Sequence, residues 1–193
     1  MHSPYRAFIE ALFKALELQD PYTAKHQKHV ASLSVQIAQK LSWSKTRIEG
    51  LYLAALVHDL GKVAIPQDVL IKTTPLSEAD IAYIRRHPDC AYQILKEISF
   101  PWPIAQIVQQ HHERLDGSGY PNHLLENEIL EEAKIIAVAD TFEAMALTRP
   151  YRTGLGMNAA LAEIEAESGI KLSQQYVEIA SQLARERGEA IFY

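Results

Sequence analysis

Histidine is the residue that stands out in this chain. There are 8 among 193 residues, and histidine is both the commonest metal ligand and the proton carrier of neutral pH. His58-Asp59 ends the apolar run LYLAALVHDLGK. An ionised carboxylate buried there costs several kcal/mol unless it is paired or bound to metal; taken alone, the pair usually reads as a helix end at solvent. His111-His112 end a second helical stretch. Adjacent side chains on a helix diverge by about 100°, so both reach one ion only if the helix unwinds there, as the glycines downstream permit. Asp140 lies in KIIAVADTFEAMA, among Ile136, Ala137, Val138 and Ala139, with Lys134 and Arg149 its nearest cations in sequence. A metal would compensate it; a helix with Asp140 on its wet side is the alternative. His26 and His87 complete the set. Five imidazoles and two carboxylates exceed the roughly four to six ligands of one ion. They suit two ions sharing a bridge, the arrangement used for in-line attack on phosphodiesters.

Helices must bring these residues together. Phe8, Ile9, Leu12, Phe13 and Leu16 form one stripe at three-four spacing over Tyr5–Leu18. Asp20-Pro21 breaks the chain, and Thr23 is the expected cap of a second helix running to about Leu41, with Val30, Leu33, Val35, Ile37 and Leu41 mostly inward. A third helix is expected over about Lys45–Asp59, with Gly61 as its stop. A connector with one helical turn follows. Ser77 with Asp80 then forms a capping box for a helix from about Glu78, bent near His87-Pro88 and resuming to about Ile98. Further helices are expected from Pro103 to about His111, from about Ile129 to Leu147, and near Asn158–Glu167 and Ser173–Arg187. GSGYPNHLLENE is a turn-rich loop long enough to carry function. No period-two strand is present. The expected class is all-α, a compact bundle of about eight or nine helices.

Composition excludes several classes. Hydrophobic residues at 48% and charged residues at 22% are ordinary globular usage. Length favours one domain over 1–193, with an N-terminal helix (1–19), a core carrying the motifs (20–152) and C-terminal helices (153–193). Cys90 is the sole cysteine, so no intrachain disulfide forms, and it reads as a small buried hydrophobe. The run from Leu51 to Val57 is too short to span a bilayer, and no secretory signal is seen, so the cytoplasm is the expected home. A net charge of −5 argues against coating a nucleic-acid polymer, though not against a small anionic ligand.

The ordered segments DPYTAKH, HDLGKVAIPQDVLIK, RRHPDCAYQIL, HHERLDGSGYP, AKIIAVADTFEAM and RPYR cover about Asp20 to Arg152. Together they resemble the HD-GYP domain, a bacterial branch of the HD phosphohydrolase superfamily. HHERLDGSGYP is the most specific segment; the His-Asp dipeptide alone is weak.

The resemblance implies a phosphodiesterase that opens cyclic di-GMP to linear pGpG and in some members continues to GMP. It implies that His26, His58, Asp59 and Asp140 hold one ion. His87, His111, His112 and Asp59 hold the other, with Asp59 bridging. Members with a glutamate four residues before the first histidine hold a third metal; Tyr22 stands there, so two divalent ions are expected. Fe or Mn suit the mixed nitrogen and oxygen donors in this setting, and Zn or Ni fit the same set. Lys62 is expected at the scissile phosphate, stabilising charge or protonating the leaving oxygen. Gly119, Tyr120 and Pro121 shape a loop beside the pocket, and Arg149 and Arg152 supply cations for phosphates.

The sequence departs from the family at several positions. His29 replaces an arginine, and either joins His26 as an outer partner or faces solvent. Ala91 replaces a glycine, Leu130-Glu131 replace Pro-Leu, and PNHLLENE lacks a glycine common there. His2 and His123 read as surface, and Tyr52, Tyr83 and Tyr92 as core. Two alternatives keep the fold and change the function: a non-catalytic cyclic-dinucleotide sensor or interaction module that retains the metals, and a hydrolase of another cyclic dinucleotide. A regulatory domain or protein acting in trans and a homodimer are the expected partners; no membrane or polymeric nucleic acid is expected.

Overall fold

The computed structural model describes residues 4–72, 74–147 and 154–193. Among these residues there are ten α-helical segments and no strand; two isolated β-bridges, Asp116 with Leu125 and Ser168 with Leu172, pin loops. The helices are α1 (Pro4–Gln19), α2 (Pro21–Lys40), α3 (Lys45–Leu56), α4 (Gln67–Leu70), α5 (Glu78–Ile84), α6 (His87–Leu95), α7 (Ile104–Gln110), α8 (Glu131–Ala146), α9 (Met157–Ala166) and α10 (Gln174–Arg187). The all-α class and the number of helices agree with the sequence reading, α4 being the single turn in the connector.

α2 lies at the centre, packed on α3 and α8, while α6 packs on α7 and on a 3₁₀ turn at Leu60–Ala64. The core runs through Leu33, Ile37, Leu51, Leu53, Ile107, Ile135, Ile136 and Phe142, all fully buried. The apolar end of α3 is buried as its sequence requires. On α1 the stripe is narrower than expected. Ile9 and Phe13 are buried and Leu12 and Leu16 pack against the core, but Phe8 faces solvent.

Several local readings change. Asp20, not Thr23, caps α2: its Oδ1 accepts the backbone N–H of Tyr22 and Thr23 at 3.0 Å each. Pro21 occupies the first helical position, where a missing N–H costs nothing. α3 stops at Leu56, so His58 and Asp59 fall in the turn beyond it. Gly61 is not its stop. A methyl at Gly61 would lie 1.9 Å from the His87 carbonyl oxygen, so glycine is there because the 3₁₀ turn meets the backbone of α6. The Ser77–Asp80 capping box forms as read. The bend near His87-Pro88 is a full break, with Arg85 and Arg86 between α5 and α6. Cys90 is half-buried rather than buried. Tyr52 and Tyr92 pack on the core, but Tyr83 is exposed.

Candidate metal centre

Three of the candidate imidazoles are aimed by one local device. His58 Nδ1 donates to the Ala55 carbonyl at 2.7 Å, His87 Nδ1 to Ile84 at 2.8 Å and His111 Nδ1 to Val108 at 2.5 Å. Each carbonyl belongs to the last turn of a helix (α3, α5 and α7), where carbonyls lack intrahelical partners. The bond fixes the tautomer and turns Nε2, with its lone pair, away from the helix.

Those Nε2 atoms converge. His87 Nε2 lies 3.3 Å from His111 Nε2 and 3.3 Å from Asp59 Oδ1. His26 Nε2 lies 3.1 Å from Asp140 Oδ1 and 3.8 Å from Asp59 Oδ2. His112 approaches through Nδ1, 3.9 Å from Asp140 Oδ2. The adjacent His111 and His112 face one space because α7 ends at Gln110, so the expected unwinding is present.

Ligand atoms gather in three groups, each within 4.8 Å: His87, His111 and His112; His26, His58 and Asp140; and His58, Asp59 and His111, which joins the first two. All seven sequence candidates thus meet in one place. His26, His58, Asp59, His87 and His111 are buried.

Electrostatics and hydrogen bonding fit a cation. His58 Nε2 is buried and has no hydrogen-bond partner; the closest carboxylate oxygen, Asp59 Oδ2, is 3.6 Å away. A lone pair with nothing to accept from is an orphan in a polar cluster, and a divalent ion would take it. Burial holds His58, His87, His111 and His112 below their usual value, so they are neutral donors at pH 7. Burial alone would raise Asp59, yet Lys62 and the surrounding imidazoles hold it well below the carboxylate range. Asp140 follows the same pattern, with the His26 hydrogen bond opposing burial. Burial pulls His26 down, but its bonds to Asp140 and Glu143 lift it to about 9. In that state the proton on His26 carries the positive charge that an ion would bring. The donor set, neutral imidazoles and ionised carboxylates without thiolate, suits Mn, Fe, Zn or Ni.

The sequence reading missed two buried carboxylates. Glu143, one turn after Asp140 on α8, accepts from His26 Nδ1 at 2.5 Å and His29 Nδ1 at 3.0 Å. His29 is therefore an outer partner reached through Glu143, and its ring packs on Phe192 and Tyr193. The spacing of Glu143 to Asp140 on the buried α8 was the available signal. Glu113 is also buried and accepts from Asn122 N at 2.7 Å and Leu124 N at 3.0 Å, which anchors the loop. Pro121 sits in that anchored loop behind a cis peptide bond to Tyr120.

Gly119 is pressed against the His112–Arg114 backbone, and a methyl there would lie 2.4 Å from Arg114 N. Tyr120 stacks on His112 with centroids 4.8 Å apart. Lys62 Nζ donates to Asp59 Oδ2 at 2.6 Å. Arg149, Arg152 and His2 lie outside the described residues, and His123 is exposed.

The sequence matches the HD domain family over residues 10–174. The chain belongs to that family. Its histidine, aspartate and Gly-Tyr-Pro motifs place it in the HD-GYP branch. The cyclic di-GMP phosphodiesterase response regulator RpfG of Xanthomonas campestris is 37% identical over 166 residues, 85% of this chain and 44% of that protein. A 3'3'-cGAMP-specific phosphodiesterase of Vibrio cholerae is 36% identical over 157 residues, 81% of this chain and 34% of that protein. The chain thus spans less than half the length of these relatives. The solved structure of Bd1817, an HDG"Y"P protein from Bdellovibrio bacteriovorus, superposes with a TM-score of 0.70. It is 23% identical, covering 83% of this chain and 51% of that one, and shares the fold. Among the described residues no helix is long and apolar enough to cross a membrane.

Proposed function

We propose that this HD-GYP chain is a metal-dependent phosphodiesterase that hydrolyses cyclic di-GMP to linear pGpG. The observation that carries the reading is the joining of two ligand groups through Asp59, His58 and His111. His26, His58, Asp59 and Asp140 would hold one divalent ion, and His87, His111, His112 and Asp59 the other. Two ions so held would supply positive charge for a phosphodiester and a hydroxide nucleophile at neutral pH.

The chain's own residues do the rest. Lys62 extends from the shared carboxylate as a cation for the phosphoryl oxygens, where negative charge grows in the transition state. The Nδ1 bonds of His58, His87 and His111 keep ligands oriented before substrate arrives. Glu113 holds the Gly119–Pro121 loop against the His111–His112 segment, and Tyr120 covers the His112 ring. Arg149 and Arg152 are assigned to substrate phosphates. We place the reaction in the reducing cytoplasm, consistent with the lone Cys90.

Anaerobic purification with Fe or Mn, incubation with cyclic di-GMP and separation of the products tests the reading; pGpG is expected. Binding without turnover would instead assign a sensor. Asp59→Ala should empty both ion positions by elemental analysis, and full metal content in that variant would remove Asp59 as the bridge. Lys62→Ala should lower turnover with metal content intact.

A further inference from the structure

Gln27, on the inward side of α2, is fully buried at 0% exposure. Neither its carboxamide nitrogen nor its oxygen has a hydrogen-bond partner among the described residues. A carboxamide carries two donors and an acceptor, and leaving them unmade in a packed interior is costly. Methionine would fill a similar volume without that cost.

The side chain is not sealed in. It lines a cavity of about 50 Å³ between α1, α2 and the 3₁₀ turn, and Asp59 and Lys62 line the same cavity. Gln19 and Asp20, both exposed, also line it, so the space runs from the surface to the buried carboxylate of the metal centre. A single water needs about 10–15 Å³ of such space and two to four polar partners. The cavity has room for more than one. Val63 and Leu70 form its apolar wall, while Gln27, Asp59 and Lys62 supply the polar partners. A purely apolar void stays dry; one with these groups takes up water.

Asp59 has need of such a partner. A carboxylate accepts at roughly four positions. As a bridge it would give two of them to ions, and Lys62 donates to Oδ2 at 2.6 Å. One lone pair remains on a buried group, and carboxylates that bind metal are themselves usually held by outer hydrogen bonds.

We propose that Gln27 anchors an ordered water that donates to Asp59, which makes Gln27 a positioning residue for the carboxylate shared by the two ions. This rests on the metal-centre reading above, through Asp59. Gln27 acts through the water and not on substrate. Its effect falls on both ions, whereas Glu143 supports the His26 side.

The test uses the metal-loaded full chain. A high-resolution crystal structure should place a water about 2.7–3.2 Å from both the Gln27 carboxamide and Asp59; a cavity without one would overturn the proposal. Gln27→Met keeps the volume and removes both polar groups. In chelator competition it should weaken both ions about tenfold, and affinities within about twofold of wild type would overturn the proposal. The metal-free chain gives a readout whose sign decides. With water held by the carboxamide, the melting temperature of Gln27→Met should fall by about 2–4 °C. A rise would mean relief of a stranded polar group in a dry cavity, and would also overturn it.

Gln27→Asn separates the water from packing. It is one methylene shorter but keeps the carboxamide, and a second water spans the gap at little cost, so its ion affinities should lie within about threefold of wild type. Equal losses in Gln27→Met and Gln27→Asn would assign the effect to packing and sink the proposal. None of these readouts uses turnover. Inactivity of the wild-type chain on bis(p-nitrophenyl) phosphate and cyclic di-GMP therefore removes the phosphodiesterase reading alone. Activity on both, with ion affinities unmoved in Gln27→Met, removes only the water anchor.

Discussion

Gly61→Ala should disable one half of the metal centre without touching a ligand. The added methyl would lie 1.9 Å from the His87 carbonyl oxygen and 2.7 Å from Ala91 N, both backbone atoms of α6. Ordinary contact begins near 3.4 Å, so α6 must retreat by about 1.5 Å. His87 moves with it, away from Asp59 Oδ1 and His111 Nε2, each now 3.3 Å distant. Metal–ligand distances tolerate about 0.2 Å, so the displacement is several times what coordination allows. The ion assigned to His87, His111 and His112 should be lost while that of His26, His58 and Asp140 stays. Overpacking against backbone costs about 3 kcal/mol. The entropic benefit of replacing glycine is under about 1 kcal/mol, so strain wins. The net loss of about 2–3 kcal/mol should lower the melting temperature of a chain of this size by about 4–12 °C. Elemental analysis should give one ion per chain in place of two, and circular dichroism should give the melting point. Two ions per chain with an unshifted melting point would refute the close approach as the reason for Gly61.

Glu143→Gln leaves one acceptor oxygen for two imidazoles, and should weaken the His26-side ion by about 10–100-fold in a chelator competition. Glu113→Ala should release Asn122 and Leu124, read as lost hydrogen-exchange protection at those two amides and a raised KM for the dinucleotide. The metal-free chain should be most stable at about pH 7. Below the unfolded value of 6.5, four buried imidazoles gain protons only on unfolding, which removes up to about 1.4 kcal/mol per pH unit for each. His26, raised to about 9, acts in the opposite sense; its contribution is complete below 6.5 and disappears as pH rises through 9. Urea unfolding across pH 5–9 should trace this asymmetric maximum, and a flat profile would contradict it.

His58-Asp59 and Asp140 were legible as polar residues in apolar helical stretches, whereas His26, His87, His111 and His112 joined them through the count of imidazoles and the resemblance to the HD-GYP domain. The break between α5 and α6 followed from Pro88, and the capping box from Ser77 and Asp80. What stayed hidden depends on approach between distant segments. Gly61 reads as a helix stop when its neighbours in sequence are considered, and only α6 explains it. Glu143 looks like one more acid on an amphipathic helix until α2 brings His26 and His29 against it. Asp20 was passed over as cap in favour of Thr23, although Pro21 at the first helical position was the clue. Phe8 belongs to the α1 stripe by spacing, but that helix is seated on too narrow a strip of the core to cover it.

The imidazole bonds at the ends of α3, α5 and α7 have a further consequence. The same side chain that donates its Nδ1–H to a carbonyl of a helix's last turn also turns its Nε2 toward the ligand cluster, so orientation is written into a short stretch of backbone at each vertex. Such a vertex is portable. Grafting histidine three positions after an unpaired carbonyl on any three convergent helix ends offers a route to a cation cage in which only the spacing of the helices has to be engineered.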